Sequence, residues 1–267
     1  MKIKILFMIM VFMLSIFSGG CGEQSAKDNE PQKKVVVGLD ESFPPFGFKD
    51  DSGKFVGFDI DLAKETMKRL NYEVEFKAID WANKQQELDS GNIDMIWNGL
   101  EITDERKENI LFTKPYLNSG LIVFTLKNRQ EKIIDKNSLV GKIIGLQKDS
   151  TGEMHLNNDE NLKNSLQEIK LYADAPNALE DLKNGKIDAA ICDEMNGIYY
   201  IFQHNLKNDI EVTNIFIGEK GDIAVGFRKN DTALRDEVQK TLDEMIKDGT
   251  AKKISEQWFG EDLIIKN

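Results

Sequence analysis

Leu88-Asp89-Ser90-Gly91-Asn92-Ile93-Asp94-Met95-Ile96 returns later in the chain as Leu182-Lys183-Asn184-Gly185-Lys186-Ile187-Asp188-Ala189-Ala190-Ile191. In each copy a helix ends at a glycine, the residue that most readily takes the left-handed conformation just past a helix C-terminus. An apolar stretch follows at once and reads as a short buried strand. The copies lie about a hundred residues apart, well beyond the roughly 20–50 of a stacked repeat, so they mark two similar lobes rather than a solenoid. Strands and helices alternating in this way predict α/β lobes with largely parallel sheets.

The flanking sequence extends the pattern. Lys33 to Asp40 (KKVVVGLD) is a β-branched run suited to a buried strand, closed by turn formers through Pro45. Phe55 to Phe58 reads as a short strand and Val74 to Phe76 as another. Between them Asp59 is placed to cap a helix whose inner face holds Ile60, Ala63, Met67 and Leu70. Leu234, Val238, Leu242 and Met245 recur at helical spacing and predict a helix packed on the first lobe.

The N-terminus sets the compartment. Lys2 and Lys4 precede an apolar run from Ile5 to Phe17, then Ser18, Gly19, Gly20 and Cys21. A basic head, an apolar run short of the about 20 residues that span a bilayer and a small-residue exit predict a secretory signal over residues 1–20. A cysteine directly after it suggests a lipoprotein box, so Cys21 is the expected lipidated N-terminus. Ser18 departs from that box, whose first position prefers Leu, and plain cleavage with release is the alternative. Residues 21–33 read as a polar tether. The expected location is outside the cytoplasm, anchored by lipid to the outer face of the cell membrane.

Composition excludes several classes. Formal charge is −11, and −13 once Lys2 and Lys4 are removed, which repels nucleic acid phosphates and anionic lipid surfaces. His155 and His204 have no companions at metal-ligand spacing, so no metal is expected. Cys192 is the only other cysteine, which excludes an internal disulfide framework if Cys21 carries lipid. A hydrophobic fraction of 40% suits a chain that builds its own core.

In open α/β sheets, ligands sit beyond the carboxyl ends of strands and at helix N-termini. Trp97 to Arg106 and Cys192-Asp193-Glu194 follow the two echoed strands. Thr103 is a good N-cap, which puts Arg106 in the first helical turn, where the helix dipole disfavours a cation. A carboxylate held between the guanidinium and free backbone amides would offset that cost, as would a surface pair with Asp104 or Glu108. Val140 to Gly152 reads as strand, loop and helix start, with Ser150 or Thr151 either donating to an anion or simply capping. Asp193, at the end of a buried strand, needs a donor, either an ammonium ligand or a helix terminus.

These residues carry a family resemblance. Asp40 to Phe48 (DESFPPFGF), Gly57 to Ala63 (GFDIDLA), Ser90 to Asp94, Ile102 to Arg106 (ITDER) and Phe112 to Tyr116 (FTKPY) closely resemble the polar amino acid-binding proteins of ABC importers, the family 3 extracellular solute-binding proteins. Gly145 to Gln147, Ser150 to Gly152, Lys186 to Ala190 and Trp258-Phe259-Gly260 continue the match in order along the chain. The resemblance implies a two-lobed, type II periplasmic-binding-protein-like clamshell with two crossover hinge strands. Lobe 1 would comprise residues 34–121 and 219–267, and lobe 2 residues 122–218. It further implies that Arg106 and the amides near Thr103, Ser150 and Thr151 hold a ligand α-carboxylate. Asp193 and the Gly99 carbonyl would hold the α-ammonium. Phe43 and Trp81 would wall the side chain, with Asp40, Asn98 and Gln147 at its far end, and Phe46, Phe48 and Phe58 would pack in the core.

One position departs from the family. Glu101 stands where many members have a small hydroxyl residue beside the ammonium. Turned inward, it would join Asp40 and Asp193 against one Arg, favouring a basic ligand (arginine, lysine, ornithine or histidine) on charge balance. Turned outward, it would meet solvent or Lys107, and a neutral polar ligand such as glutamine or cystine would suit the site. The expected partners are the amino acid, permease membrane subunits and the membrane through the lipid, with no cofactor and a monomeric state. A dehydratase acting on prephenate-like acids shares this fold and would need Glu101 or Glu194 as general acid. A sensor ectodomain would require a partner protein.

Overall fold

The computed structural model describes residues 32–266. The signal at 1–20, the lipidation site Cys21 and nearly all of the 21–33 tether lie outside the described residues.

Two five-stranded sheets repeat one plan. The first runs in the order Glu73–Ala78, Lys34–Leu39, Met95–Ile96, Gly226–Arg228, Ile110–Phe112, and the second in the order Glu168–Tyr172, Ile143–Gln147, Ala189–Asp193, Leu121–Leu126, Ile210–Phe216. In each, three parallel strands meet a fourth that runs antiparallel. That fourth strand enters directly from a crossover. Leu117–Ser119 leads into the second sheet and Gly221–Ile223 leads back into the first, and these two segments pair antiparallel with each other.

The echoed sequence explains why the plan repeats. Gly91 (φ 76°) and Gly185 (φ 70°) turn the chain after the helices Lys84–Asp89 and Ala175–Lys183, in the left-handed region that favours glycine. The aspartate three residues on then staples the new strand to its neighbour. Asp94 donates its N–H to the Val36 carbonyl (2.8 Å), and its Oδ2 accepts the Val36 N–H (2.8 Å). Asp188 does the same with Ile143, at 2.8 and 2.7 Å. Each carboxylate is also paired with an arginine, Arg228 at 2.9 Å and Arg129 at 2.5 Å.

Apolar periodicity buries where expected. The helix Thr232–Lys247 places Leu234, Val238, Leu242 and Met245 in one core with Val35, Val37, Phe46 and Phe58. The second sheet has a cluster around Phe124, Leu179 and Leu182 and another around Ile144, Leu146 and Ile191, which accounts for its continuous apolar strands.

Two local expectations are corrected. Asp59 does not cap its helix, which spans Phe58–Arg69 with Gly57 at the N-cap. It is fully buried instead, where Oδ2 accepts the Gly99 N–H (2.6 Å) and Oδ1 the Tyr116 hydroxyl (2.8 Å). Burial pushes its carboxyl up to about 7. Tertiary donors outcompeted the local helix amides. Phe46 and Phe58 are core residues, but Phe48 is only half-buried and lies between Tyr199 and Trp258, 5.5 and 6.1 Å away. Asp59→Ala should destabilise the fold by about 1–3 kcal/mol, because it strands two donors. An unchanged urea midpoint would show instead that packing alone holds the Gly99 loop.

Candidate ligand-binding cleft

Residues at the carboxyl ends of parallel strands from both sheets wall one cavity of about 640 Å³, measured out to its mouth. The first lobe supplies Asp40, Phe43, Trp81, Asn98, Gly99, Glu101 and Arg106. The second supplies Gln147, Ser150, Thr151 and Asp193. Of the twelve residues expected at the site, only Thr103 is missing from this wall. It caps the helix Asp104–Asn109, its Oγ1 accepting the Arg106 N–H at 3.1 Å, so that amide is already engaged.

Arg106 turns inward rather than toward Asp104 or Glu108. Its Nη1 donates to the Glu101 carbonyl (2.9 Å) and, across the cleft, to the Thr151 hydroxyl (3.2 Å). Both bonds leave from one nitrogen, so Nη2 and Nε remain for an occupant. Burial pulls the guanidinium down from its ordinary value, with Glu101 and Glu105 opposing. Ser150 caps the helix Thr151–Asn158 by accepting the Glu153 N–H at 3.3 Å.

Of the two donors anticipated for Asp193, the helix terminus is the one in contact. Oδ1 caps the helix Glu194–Gln203, accepting the Met195 and Asn196 N–H groups at 2.9 and 3.1 Å. Oδ2 accepts the Ser119 hydroxyl from the crossover segment, and the side chain still faces the cavity. Burial pushes this carboxyl up to about 6, with the Ser119 hydroxyl and the two amides working against the rise.

Asp40 is also raised to about 6 by burial, opposed by the Ser42 amide and by Gln147. Its Oδ1 accepts the Ser42 N–H (2.8 Å), and its Oδ2 accepts the Gln147 side-chain amide (2.7 Å), a bond between the lobes. Asn98 Oδ1 accepts the Asp40 N–H at 3.0 Å, which fixes the strand end. Phe43 stacks on Phe46 at 5.2 Å, and Trp81 is 8% exposed.

Glu101 lies on the cavity wall, and Lys107, its alternative partner, pairs with Asp104 at 3.0 Å. Its carboxyl packs against Gly221 of the crossover so closely that a Cβ there would meet Glu101 Cδ at 2.1 Å. Burial raises it, opposed by the Thr151 hydroxyl and the Arg106 charge and reinforced by Asp193 and Asp222.

Several participants had no sequence signal. Ser119 and Ile223 line the wall because the crossovers bring them there. Lys84 and Asn196 tie the lobes together outside the wall, through the Asp149 and Pro44 carbonyls at 2.9 and 2.7 Å. Among the described residues no cluster of three or more His, Cys, Asp or Glu could hold a metal.

Two α/β lobes joined by paired crossovers, with opposed charges set into the cleft between them, define a solute-binding protein. The chain belongs to the bacterial extracellular solute-binding proteins, family 3, whose sequence model matches residues 35–261. It is similar to the L-cystine-binding protein TcyJ of Escherichia coli, 32% identical over 231 residues covering 86% of this chain and 84% of that one. Among solved structures it is similar to a Streptococcus pneumoniae ABC uptake transporter substrate binding protein with bound histidine. That match has a TM-score of 0.82 and 36% identity, covering 87% of this chain and 95% of that one. An ancestral arginine-binding protein bound to arginine superposes with a TM-score of 0.79 at 37% identity, covering 86% of this chain and 99% of that one.

Proposed function

We propose that this protein captures a polar L-amino acid outside the cytoplasm by closing its lobes, residues 34–121 with 219–267 and residues 122–218, and delivers it to the membrane subunits of an ABC importer. One observation carries the reading. A single cavity wall presents the Arg106 guanidinium from one lobe and the Asp193 carboxylate from the other, the two groups a zwitterion needs. Arg106 with the amides around Thr151 holds the α-carboxylate, and Thr103 acts through Arg106. Asp193 with the Gly99 carbonyl holds the α-ammonium. Phe43 and Trp81 flank the side chain, and Asp40, Asn98 and Gln147 meet its end. Lipid on Cys21 keeps this capture at the membrane, and no chemistry is required of the site.

Charge balance favours a basic ligand. A zwitterion matches Arg106 with one carboxylate, which leaves two of Asp40, Glu101 and Asp193 for a further positive charge. A cation over Trp81 adds about 0.5–2 kcal/mol. The named specificity of TcyJ favours the neutral alternative, cystine, with glutamine in the same class. A dehydratase with Glu101 as general acid is the weaker reading, because the matching relatives are named as binding proteins.

Calorimetry with arginine, lysine, ornithine, histidine, glutamine and cystine decides among these. The basic amino acids are expected to bind at least about tenfold tighter than glutamine, roughly the 1.4 kcal/mol of one extra charge contact. Glu101→Thr should narrow that gap by about tenfold. Glutamine or cystine binding tighter than arginine would overturn the charge-balance argument.

A further inference from the structure

Lys84 contributes nothing to the cavity wall, yet it is only 7% exposed at the start of the helix Lys84–Asp89, a place where lysine is ordinarily solvated. Its Nζ donates to two backbone carbonyls, Trp81 at 3.1 Å in its own lobe and Asp149 at 2.9 Å in the other. It also lies 5.0 Å from the centre of the Trp81 ring. Trp81 is a cavity wall, and Asp149, held in the left-handed region at φ 54°, directly precedes the Ser150 cap. The amine therefore joins the two elements that flank Arg106, from behind the site. Among the described residues no carboxylate lies within ion-pair distance of it.

Resting on the amino-acid-binding reading above, we propose that Lys84 is a positioning residue for capture, its amine withdrawn from water and strapped between the lobes each time the cleft shuts. In an open form the Asp149 carbonyl departs with the second lobe, and the amine is hydrated like any surface lysine. Closure removes that water and adds the Asp149 carbonyl to that of Trp81, without a counter-charge in contact. The surrounding charges are Arg106 and Glu105 from the helix Asp104–Asn109, Asp80 from the turn before Trp81, and Asp149 from the second lobe. Glu153 lines the groove outside.

Burial first, then Arg106, bring Lys84 down to about 7, while Asp149, Asp80 and Glu105 favour its charge. The sign follows from proton counting. Between about 7 and the ordinary lysine range, the closed form binds fewer protons than the open one, so closure releases a proton and is favoured as pH rises. The neutral amine keeps N–H donors for both carbonyls, so the strap survives the loss of charge.

Titration calorimetry of the full chain with L-arginine, and with L-glutamine as second probe, tests this at pH 7 and 8 in buffers of different ionisation enthalpy. Wild type should release up to one proton more per ligand than Lys84→Met, and its affinity should rise by about fivefold more between the two pH values. Lys84→Arg, which stays charged, should bind without that release. Equal proton counts in wild type and both variants would overturn the strap. Should Lys84→Met fail to fold, Lys84→Arg against wild type decides alone. Failure of the wild type to bind any amino acid of the panel would overturn the amino-acid reading, and this inference with it.

Discussion

Arg106→Ala should raise the Kd for the preferred amino acid by about 10²–10³-fold. Removing one member of a buried charge pair costs about 2–5 kcal/mol, much of it from leaving the other charge uncompensated, and each 1.4 kcal/mol is a factor of ten. Here the ligand carboxylate would enter a cleft whose remaining wall charges are Asp40, Glu101 and Asp193, so the uncompensated charge would also be repelled. The fold should tolerate the change. The guanidinium makes two bonds, to the Glu101 carbonyl and the Thr151 hydroxyl, and burial already weighs against its charge. Isothermal titration with a thermal melt as control checks this. A Kd within threefold of wild type, in a variant of normal stability, would show that the carboxylate is held elsewhere.

The second large effect belongs to Asp193. Asparagine can keep the Oδ1 that accepts the Met195 and Asn196 N–H groups, so the helix cap and the fold survive. The other oxygen becomes an amide donor facing the Ser119 hydroxyl and the expected ammonium, and affinity should fall by about 10²-fold for loss of a charged hydrogen bond. The same residue governs the acid limb of binding. Burial holds Asp193 and Asp40 at about 6 in the shut cleft. An ammonium needs them ionised, so the liganded form binds fewer protons and affinity drops as pH falls through 6. Wild type should bind about 10²-fold more weakly at pH 5 than at pH 7, since one pH unit below about 6 protonates most of each carboxylate and costs about tenfold for each. Asp193→Asn should show a shallower fall, with Asp40 accounting for the remainder. An identical acid limb in the two proteins would remove Asp193 from the ammonium site.

Some of the cleft was legible because its residues are anomalous in their local setting. A cation in the first turn of a helix, as at Arg106, and a carboxylate closing an apolar strand, as at Asp193, each require a partner, which marks both positions even though nearby residues offer candidates. Asp59 shows the opposite case, since its place at a helix start satisfies a local rule that the buried Tyr116 hydroxyl and Gly99 amide override. Glu101 offered two equivalent outcomes until the crossover glycine Gly221 left space for its carboxyl on the cavity side. Lys84 gave no signal at all, because its deciding partner is the carbonyl of Asp149, which the chain alone does not bring near.

By itself the sequence determined the repeated α/β plan, since the glycine that ends each helix and the aspartate that staples each new strand act within a few residues or on the adjacent strand. It also determined which residue types stand at the strand ends. Which of them share one cavity, and how the lobes are tied across it, was decided only by the tertiary structure. Those contacts join residues such as Asp40 and Gln147, or Lys84 and Asp149, that lie on separate lobes. Their meeting depends on the paired crossovers setting one lobe against the other, a geometry that no local propensity encodes.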